Sequence, residues 1–334
     1  MPMKAIFNHA SELLVITLIL ASTLLCIAPW TDISFKWWED HTFILMLELL
    51  GAGLLFFFFN ARRLMIASFG ACALLCLVLE ERSQTPLQHS EQTDDALVTI
   101  AQFELPNIKS YEDENLQLIL AAKADIISIQ EVDISALEQV HNFFTCCGYP
   151  YYECMQNEAR QKAMVVYSRQ PFRFVTHVND PNALGILGEI ELMIDHKPQN
   201  LSFFSTFLTP TKDEAVYTQL RKRLQNYAHR LHQVEEPLLA CGDYQLVSWS
   251  RDLQAFRIQA KLKDSRRGFL PTSPHGHFSL FDYPFDHIFY SNHFKCISFE
   301  TISSTTTPHL GIVGTYQFEN QDSITHVEAT AQEF

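Results

Sequence analysis

Apolar positions follow two regimes along this chain. Up to about residue 80 they form three nearly unbroken runs: 13–29 (LLVITLILASTLLCIAP), 43–59 (FILMLELLGAGLLFFFF) and 64–79 (LMIASFGACALLCLVL). Each is close to the roughly 17–25 residues that cross a hydrocarbon core. A single run of this kind fits a buried core helix, and the first alone fits a signal peptide. Three in a row, separated only by short polar breaks, fit neither. The pattern predicts a membrane domain over 1–81 with three transmembrane helices. A polar linker follows over 82–95 (RSQTPLQHSEQTDD), then a second domain over 96–334.

The breaks between the runs suggest an orientation. Lys4 precedes the first run, and Arg62 and Arg63 lie between the second and third. The loop TDISFKWWEDH is net acidic and places Trp37 and Trp38 where a membrane interface would be. Basic residues favour the cytoplasmic side. The expectation is a cytoplasmic N-terminus and a soluble domain on the far side of the membrane, the lipid bilayer being its first partner; in a bacterium that is an inner-membrane protein with a periplasmic domain. Glu48, an ionisable residue within the second run, suits a snorkelling or structural role as well as a functional one. Three spans with so few charges do not suggest a channel or transporter.

Beyond residue 95 the apolar positions recur at the periods of ordinary strands and helices. ALVTIAQFEL, DIISIQEVD, AMVVYS, LGEIELMID, LSFFSTFLTP, PLLACGDY, PFDHIFYS and HLGIVGTYQF read as strands. YEDENLQLILAAKA, DISALEQVHNFFTCCG and DEAVYTQLRKRLQNYAHRLHQ read as helices, the second closed by Gly148. Helices alternate with strands, but several strands follow one another directly. That predicts an α/β (α+β) four-layer sandwich, two packed mixed β-sheets flanked by helices. Glu131, Asp243, Asp286 and His309 gather at strand ends.

Charge changes the picture in one respect. Of a net −14, most belongs to the second domain: only 5 of 24 Lys/Arg and 7 of 38 Asp/Glu precede residue 83. Cations meeting phosphates dominate nucleic-acid affinity, so general nucleic-acid binding is disfavoured. RKR at 221–223 and SRRG at 265–268 are local exceptions. The eight cysteines show no metal-ligand spacing; a Cys147–Cys154 disulfide is one option in an oxidising compartment.

The order of motifs resembles the endonuclease/exonuclease/phosphatase superfamily, the deoxyribonuclease I-like fold, and in particular its membrane-anchored bacterial members. The likeness covers 96–318. It rests on IISIQEVD, VVYSRQPF, the helix leading to GDYQLVSWS, KDSRRGFLPTSP and PFDHIFYS. It implies phosphoester hydrolysis assisted by a divalent ion, Mg²⁺ or Mn²⁺, held by carboxylates. Glu131 and Asp243 take the implied metal-binding positions, Asp286 the acid that orients a histidine, and His309 that histidine. Four positions depart from the pattern. Gln102 and Gln245 stand where the family has asparagine, Phe207 where it has a phosphate-contacting histidine, and Pro308 where it has an acid. A misplaced amide and a lost donor each cost about 10²–10³-fold. The expectation is therefore an eroded catalytic set in a domain that binds a membrane or periplasmic protein, or an anionic ligand. The alternative is a working Mg²⁺-dependent phosphodiesterase or phosphatase acting on lipid headgroups or nucleic acid. Glu104, on the same side of its strand as Gln102, could replace a lost ligand; His275, His277 or His293 could replace a lost histidine. Arg266 and Arg267 suit either an anionic headgroup or the support of a loop.

Overall fold

The structure is a computed structural model and describes residues 9–29, 32–83, 89–90, 97–105, 113–180, 182–194, 197–267, 285–304 and 309–319. Pro308, His275, His277, Lys4 and most of the linker lie outside these residues. Strands and helices are numbered in chain order.

One sheet contains Leu97–Glu104 (β1), Ile126–Asp133 (β2), Tyr151–Asn157 (β3), Lys162–Ser168 (β4), Phe294–Ile302 (β11) and Gly311–Phe318 (β12). Their spatial order is β11-β12-β1-β2-β4-β3. The other contains Phe172–Asp180 (β5), Ala183–Ile194 (β6), Lys197–Leu208 (β7), Leu238–Asp243 (β8), Lys263–Asp264 (β9) and Asp286–Tyr290 (β10), in the order β5-β6-β7-β8-β10-β9. Each sheet is antiparallel except for one central parallel pair, β1 with β2 and β7 with β8. A helix bridges each parallel pair, as a parallel connection requires: Asp113–Ala121 (α5) in one and Glu214–His232 (α7) in the other.

The period-two alternation of the strands sorts their side chains into layers. Val98, Ile100, Phe203, Leu239, Cys241 and Ile288 meet between the sheets. Ala101, Phe103, Ile127 and Ile129 face the outer helices α5 and Leu137–Cys146 (α6). Phe204, Ala240 and Phe289 face α7 and Arg251–Ala260 (α8). The result is the predicted four-layer sandwich.

Ahead of it come His9–Ile27 (α1), Ile33–Asp40 (α2), Thr42–Phe58 (α3) and Arg62–Ser83 (α4). α1 and α4 are each long and apolar enough to cross a membrane; α2 and α3, bent by 51°, make a third candidate if they count as one span. Arg63 reaches Glu12 at 3.7 Å, which puts the Arg62–Arg63 pair beside the start of α1. Glu48 is exposed on α3. Cys147 and Cys154 are free thiols.

The helices and the sandwich are packed together at the other end. Val247 and Trp249, which follow β8, join an apolar cluster with Cys26, Phe43, Leu75 and Leu79. Trp249 donates its indole N–H to the Glu39 carbonyl at 2.8 Å. The Arg251 amide donates to the Glu39 carboxylate at 3.0 Å. Gln254 and Arg257 both donate to the Arg82 carbonyl, at 2.6 and 3.1 Å. Trp249 is only 1% exposed, so Trp249→Ala leaves a void at this junction. It should cost about 3–5 kcal/mol of stability in a denaturation experiment on the detergent-solubilised chain. Ile258→Ala, on an open face of α8 and 72% exposed, should stay within about 0.5 kcal/mol.

Candidate metal centre

The inter-sheet face of the sandwich turns polar where its strands end. On β1, Val98 and Ile100 are followed on the same side by Gln102 and Glu104. On β8, Leu239 and Cys241 are followed by Asp243, and on β10 Asp286 precedes Ile288 and Tyr290. The antiparallel register of β8 and β10 sets Asp243 opposite Asp286. Two glycines permit the close approach of neighbouring strands, β8 to β7 and β12 to β1. A Cβ on Gly242, at φ 153°, would lie 1.9 Å from the Thr206 carbonyl oxygen. One on Gly311 would lie 2.2 Å from that of Gln102.

The outcome is a cluster of acids. Glu104, Asp243 and Asp286 each present a carboxylate oxygen, and the three atoms lie within 4.8 Å of one another. Asp243 and Asp286 are each only 5% exposed. Glu131 reaches the same region by a different route. A β-bulge between Ile129 and Val132 adds one residue to β2 against β4, and Glu131 takes φ 56° there. Gln245, just after β8, also has a left-handed backbone, with φ 53°. It donates from its backbone to Asp243 at 2.8 Å, and its side-chain amide bonds the other carboxylate oxygen of Asp243. Strained backbone of this kind collects at functional sites.

A glutamine beneath the acids ties the two sheets together. Gln130 donates to the Thr206 carbonyl at 2.9 Å, and its own oxygen accepts from the Asp243 amide at 3.3 Å and from the Gln102 side chain at 3.4 Å. Arg266 is buried and donates to the Asp286 carbonyl at 2.9 Å, which makes it a support of β10. His309 bonds Asp286 through Nε2 and keeps 40% of its side chain exposed.

Electrostatics follow from the crowding. Burial, then the charges of Asp286, Asp243 and Glu131, push the Glu104 carboxyl well above the usual carboxylate range. Burial and the charge of Asp286 do the same to Asp243, against the pull of the Gln245 hydrogen bonds. Burial opposes the charge on Asp286 as well, but the hydrogen bond and charge of His309, with His287, Gln102 behind them, hold its carboxyl below the usual range. Asp286 is thus held as an anion, and its acidic neighbours need a cation or a proton.

The donors suit a hard divalent ion: oxygen ligands only, and mutually close. Among the described residues, Asp286 Oδ1 and Gln102 Oε1 are buried with no hydrogen-bond partner, so the cluster has acceptors to offer such an ion.

Other sequence candidates fall elsewhere. Phe207 pairs with Asp243 in the parallel register of β7 and β8. It is 5% exposed within the inter-sheet core, and the Arg160 guanidinium lies over its ring at 5.8 Å. His293 lines a separate polar hollow with Arg173 and Glu236. His287 faces the outer layer, where it stacks on Phe289 and approaches the Leu246 carbonyl at 2.8 Å; burial pushes its imidazole down to about 4. Gln130 escaped notice in the sequence, and only its position before Glu131 on an apolar strand signalled it.

A model of the endonuclease/exonuclease/phosphatase family matches residues 110–307. No curated protein sequence matches the chain. Among solved structures, the human Nocturnin catalytic domain with bound sulfate superposes with a TM-score of 0.56 at 15% identity, over 70% of this chain and 97% of that one. An endonuclease/exonuclease/phosphatase from Beutenbergia cavernae gives 0.53 at 15%, over 67% and 72%. A mannosyl-6-phosphatase from Bacteroides thetaiotaomicron gives 0.51 at 14%, over 67% and 100%.

Raised carboxyls bind protons more tightly folded than unfolded, so their stabilising effect is present at low pH and is lost as pH rises through the folded range. In chelator, the chain should therefore lose thermal stability as pH rises above the usual carboxylate range, and millimolar Mn²⁺ should restore it, the more so at the higher pH. Glu104→Gln should flatten the pH dependence and weaken Mn²⁺ binding by at least about tenfold in calorimetry.

Proposed function

The chain belongs to the endonuclease/exonuclease/phosphatase family, and we propose that it is a membrane-anchored, divalent-metal-dependent phosphoester hydrolase. The observation that carries this reading is the cluster of Glu104, Asp243 and Asp286 with His309 bonded to Asp286. The family position that Pro308 occupies lacks an acid, and Glu104 supplies one from the neighbouring strand. The anchoring is supported by the outward faces of the helices, where Leu13, Leu24, Phe57, Phe58, Ile66 and Leu77 are exposed. The Arg62–Arg63 end lies away from the sandwich, which favours a cytoplasmic N-terminus and a periplasmic domain.

Mg²⁺ or Mn²⁺ held by Glu104, Asp243 and Asp286, with Glu131 beside them, would supply Lewis acidity toward a phosphoryl oxygen. The rest falls to the chain. Gln245 fixes the Asp243 carboxylate by two hydrogen bonds. Asp286 holds His309 by Nε2, so Nδ1 is the atom left to exchange a proton. Water oxygen adds to phosphorus as its proton passes to Nδ1, the P–O bond to the leaving group breaks, and the leaving oxygen takes a proton. Arg160, held over Phe207 and donating to Thr209 at 3.0 Å, offers the phosphate a cation near the place where the family has histidine. The acidity of the domain disfavours nucleic acid as the substrate.

A second reading is binding without turnover, with a membrane or periplasmic protein as partner. Phe207 favours it, because a buried phenyl ring neither donates nor titrates. The two separate on a soluble phosphodiester such as bis-p-nitrophenyl phosphate with Mn²⁺. Hydrolysis should be cation-dependent, and His309→Ala should lower kcat by about 10²–10⁴-fold while Mn²⁺ still binds. A wild-type rate equal to that of His309→Ala would leave the binding reading standing.

A further inference from the structure

Beside the metal centre, between the helices and the sandwich, lies a cavity of about 400 Å³. That is within the range of small-molecule sites, about 300–1,000 Å³. One wall is α2, with Ile33 and Trp37; the facing wall is α7, with Leu220 and Leu224. Gln245, whose side chain bonds Asp243, completes it on the side of the acids. The cavity is thus bounded both by a helix of the bent α2–α3 span candidate and by a residue that touches a candidate metal ligand.

Its charges are informative. Three cations line it: Lys36, Arg221 and Lys212. Lys36 is matched by Asp40 at 2.5 Å and Arg221 by Asp252 at 2.7 Å. Lys212 is exposed and forms no ion pair with any described residue. A predominantly apolar chamber with one cation unpaired among the described residues, bounded by Gln245 on the side of a carboxylate cluster suited to a divalent ion, matches an amphiphile with an anionic head. We propose that this cavity binds a bilayer lipid that carries a phosphate headgroup. The lipid's apolar part rests against Trp37, Leu220 and Leu224, and its phosphoester is presented past Gln245 to Glu104, Asp243 and Asp286. This rests on the reading of that cluster as a phosphoester site, and it names the substrate class.

The nearness of the cavity to α2 explains why one wall comes from the helical segment. A soluble phosphoester needs only the cluster, whereas a lipid must leave the bilayer at the junction where α2 meets the sandwich. Ile33 donates its backbone N–H to Glu214 at 2.7 Å, so the α2 wall is tied to the start of α7 and the chamber is bounded by both parts of the chain.

The test uses the full chain in phosphatidylcholine nanodiscs with a diazirine in the acyl chain of added phosphatidic acid, or of diacylglycerol as the phosphate-free control. Phosphatidic acid should label peptides from α2 and α7, and diacylglycerol should label them about fivefold less. Leu224→Trp, which fills the cavity, should bring the phosphatidic acid signal down to the diacylglycerol level. Lys212→Glu lies on the surface and does not threaten the fold; it should lower the phosphatidic acid signal alone, by about threefold or more. Equal labelling by the two lipids, or no response to either variant, overturns the proposal. Hydrolysis of bis-p-nitrophenyl phosphate by the same variants reads the site separately. Rates that hold while lipid labelling falls support the cavity as a lipid site. Labelling that persists in a chain inactive toward every phosphoester keeps the lipid site and removes the hydrolase reading.

Discussion

Crowding of carboxylates at one edge of an apolar sandwich is the constraint on which the rest of this structure depends. Taking Asp243 and Asp286 out of water while holding them within 4.8 Å of Glu104 is unfavourable unless a cation or proton compensates. Much of the local architecture is explained by that demand. Gln245 and the Asp243 amide network, the Asp286–His309 pair, and the Gln130 bridge between the sheets all fix the acids in one geometry. None of them neutralises the cluster fully. The strained backbone at Glu131 and Gln245 is held by the same surroundings.

The segment after β8 serves two regions at once. Asp243 and Gln245 belong to the acid cluster, while Val247 and Trp249, a few residues on, are buried in the apolar cluster of the helices. His287 holds the turn between them through the Leu246 carbonyl. A shift of the helices relative to the sandwich would therefore be felt at Gln245, and through it at Asp243. The helices are not only attached to the domain by the chain; they form one side of the cavity that opens beside its site.

Much of the fold was legible along the chain. The three apolar runs, the central strands and the long helix α7 follow from periodicity, and the buried parallel strands β2 and β8 announce themselves as short apolar stretches ending in acids. The strands that escaped are informative. β3, YYECMQN, and β5, FRFVTHVND, lie at sheet edges, where partial exposure lets polar residues interrupt the alternation. α2, ISFKWWED, is short and polar enough to read as a loop, yet it supplies a wall of the cavity. Within the site, Asp243, Asp286 and His309 were visible as strand-end residues in a resembling motif order. Glu104 was visible only as a residue sharing a side with Gln102, because its proximity to Asp243 depends on two strands far apart in the chain.

By itself, the sequence determined which residues could carry chemistry, and it determined the periodicity that sends Gln102, Glu104, Asp243 and Asp286 to the same inter-sheet face. That much follows from local rules, since alternation along a strand needs no knowledge of its neighbours. Tertiary structure alone decided which acids meet. Strand order and register set Asp286 against Asp243 and bring β1 alongside. A one-residue bulge gives Glu131 its own backbone direction. The packing of Trp249 into the helices puts α2 over the same edge. Distances of this kind belong to contacts between segments remote in sequence, and no local pattern encodes them.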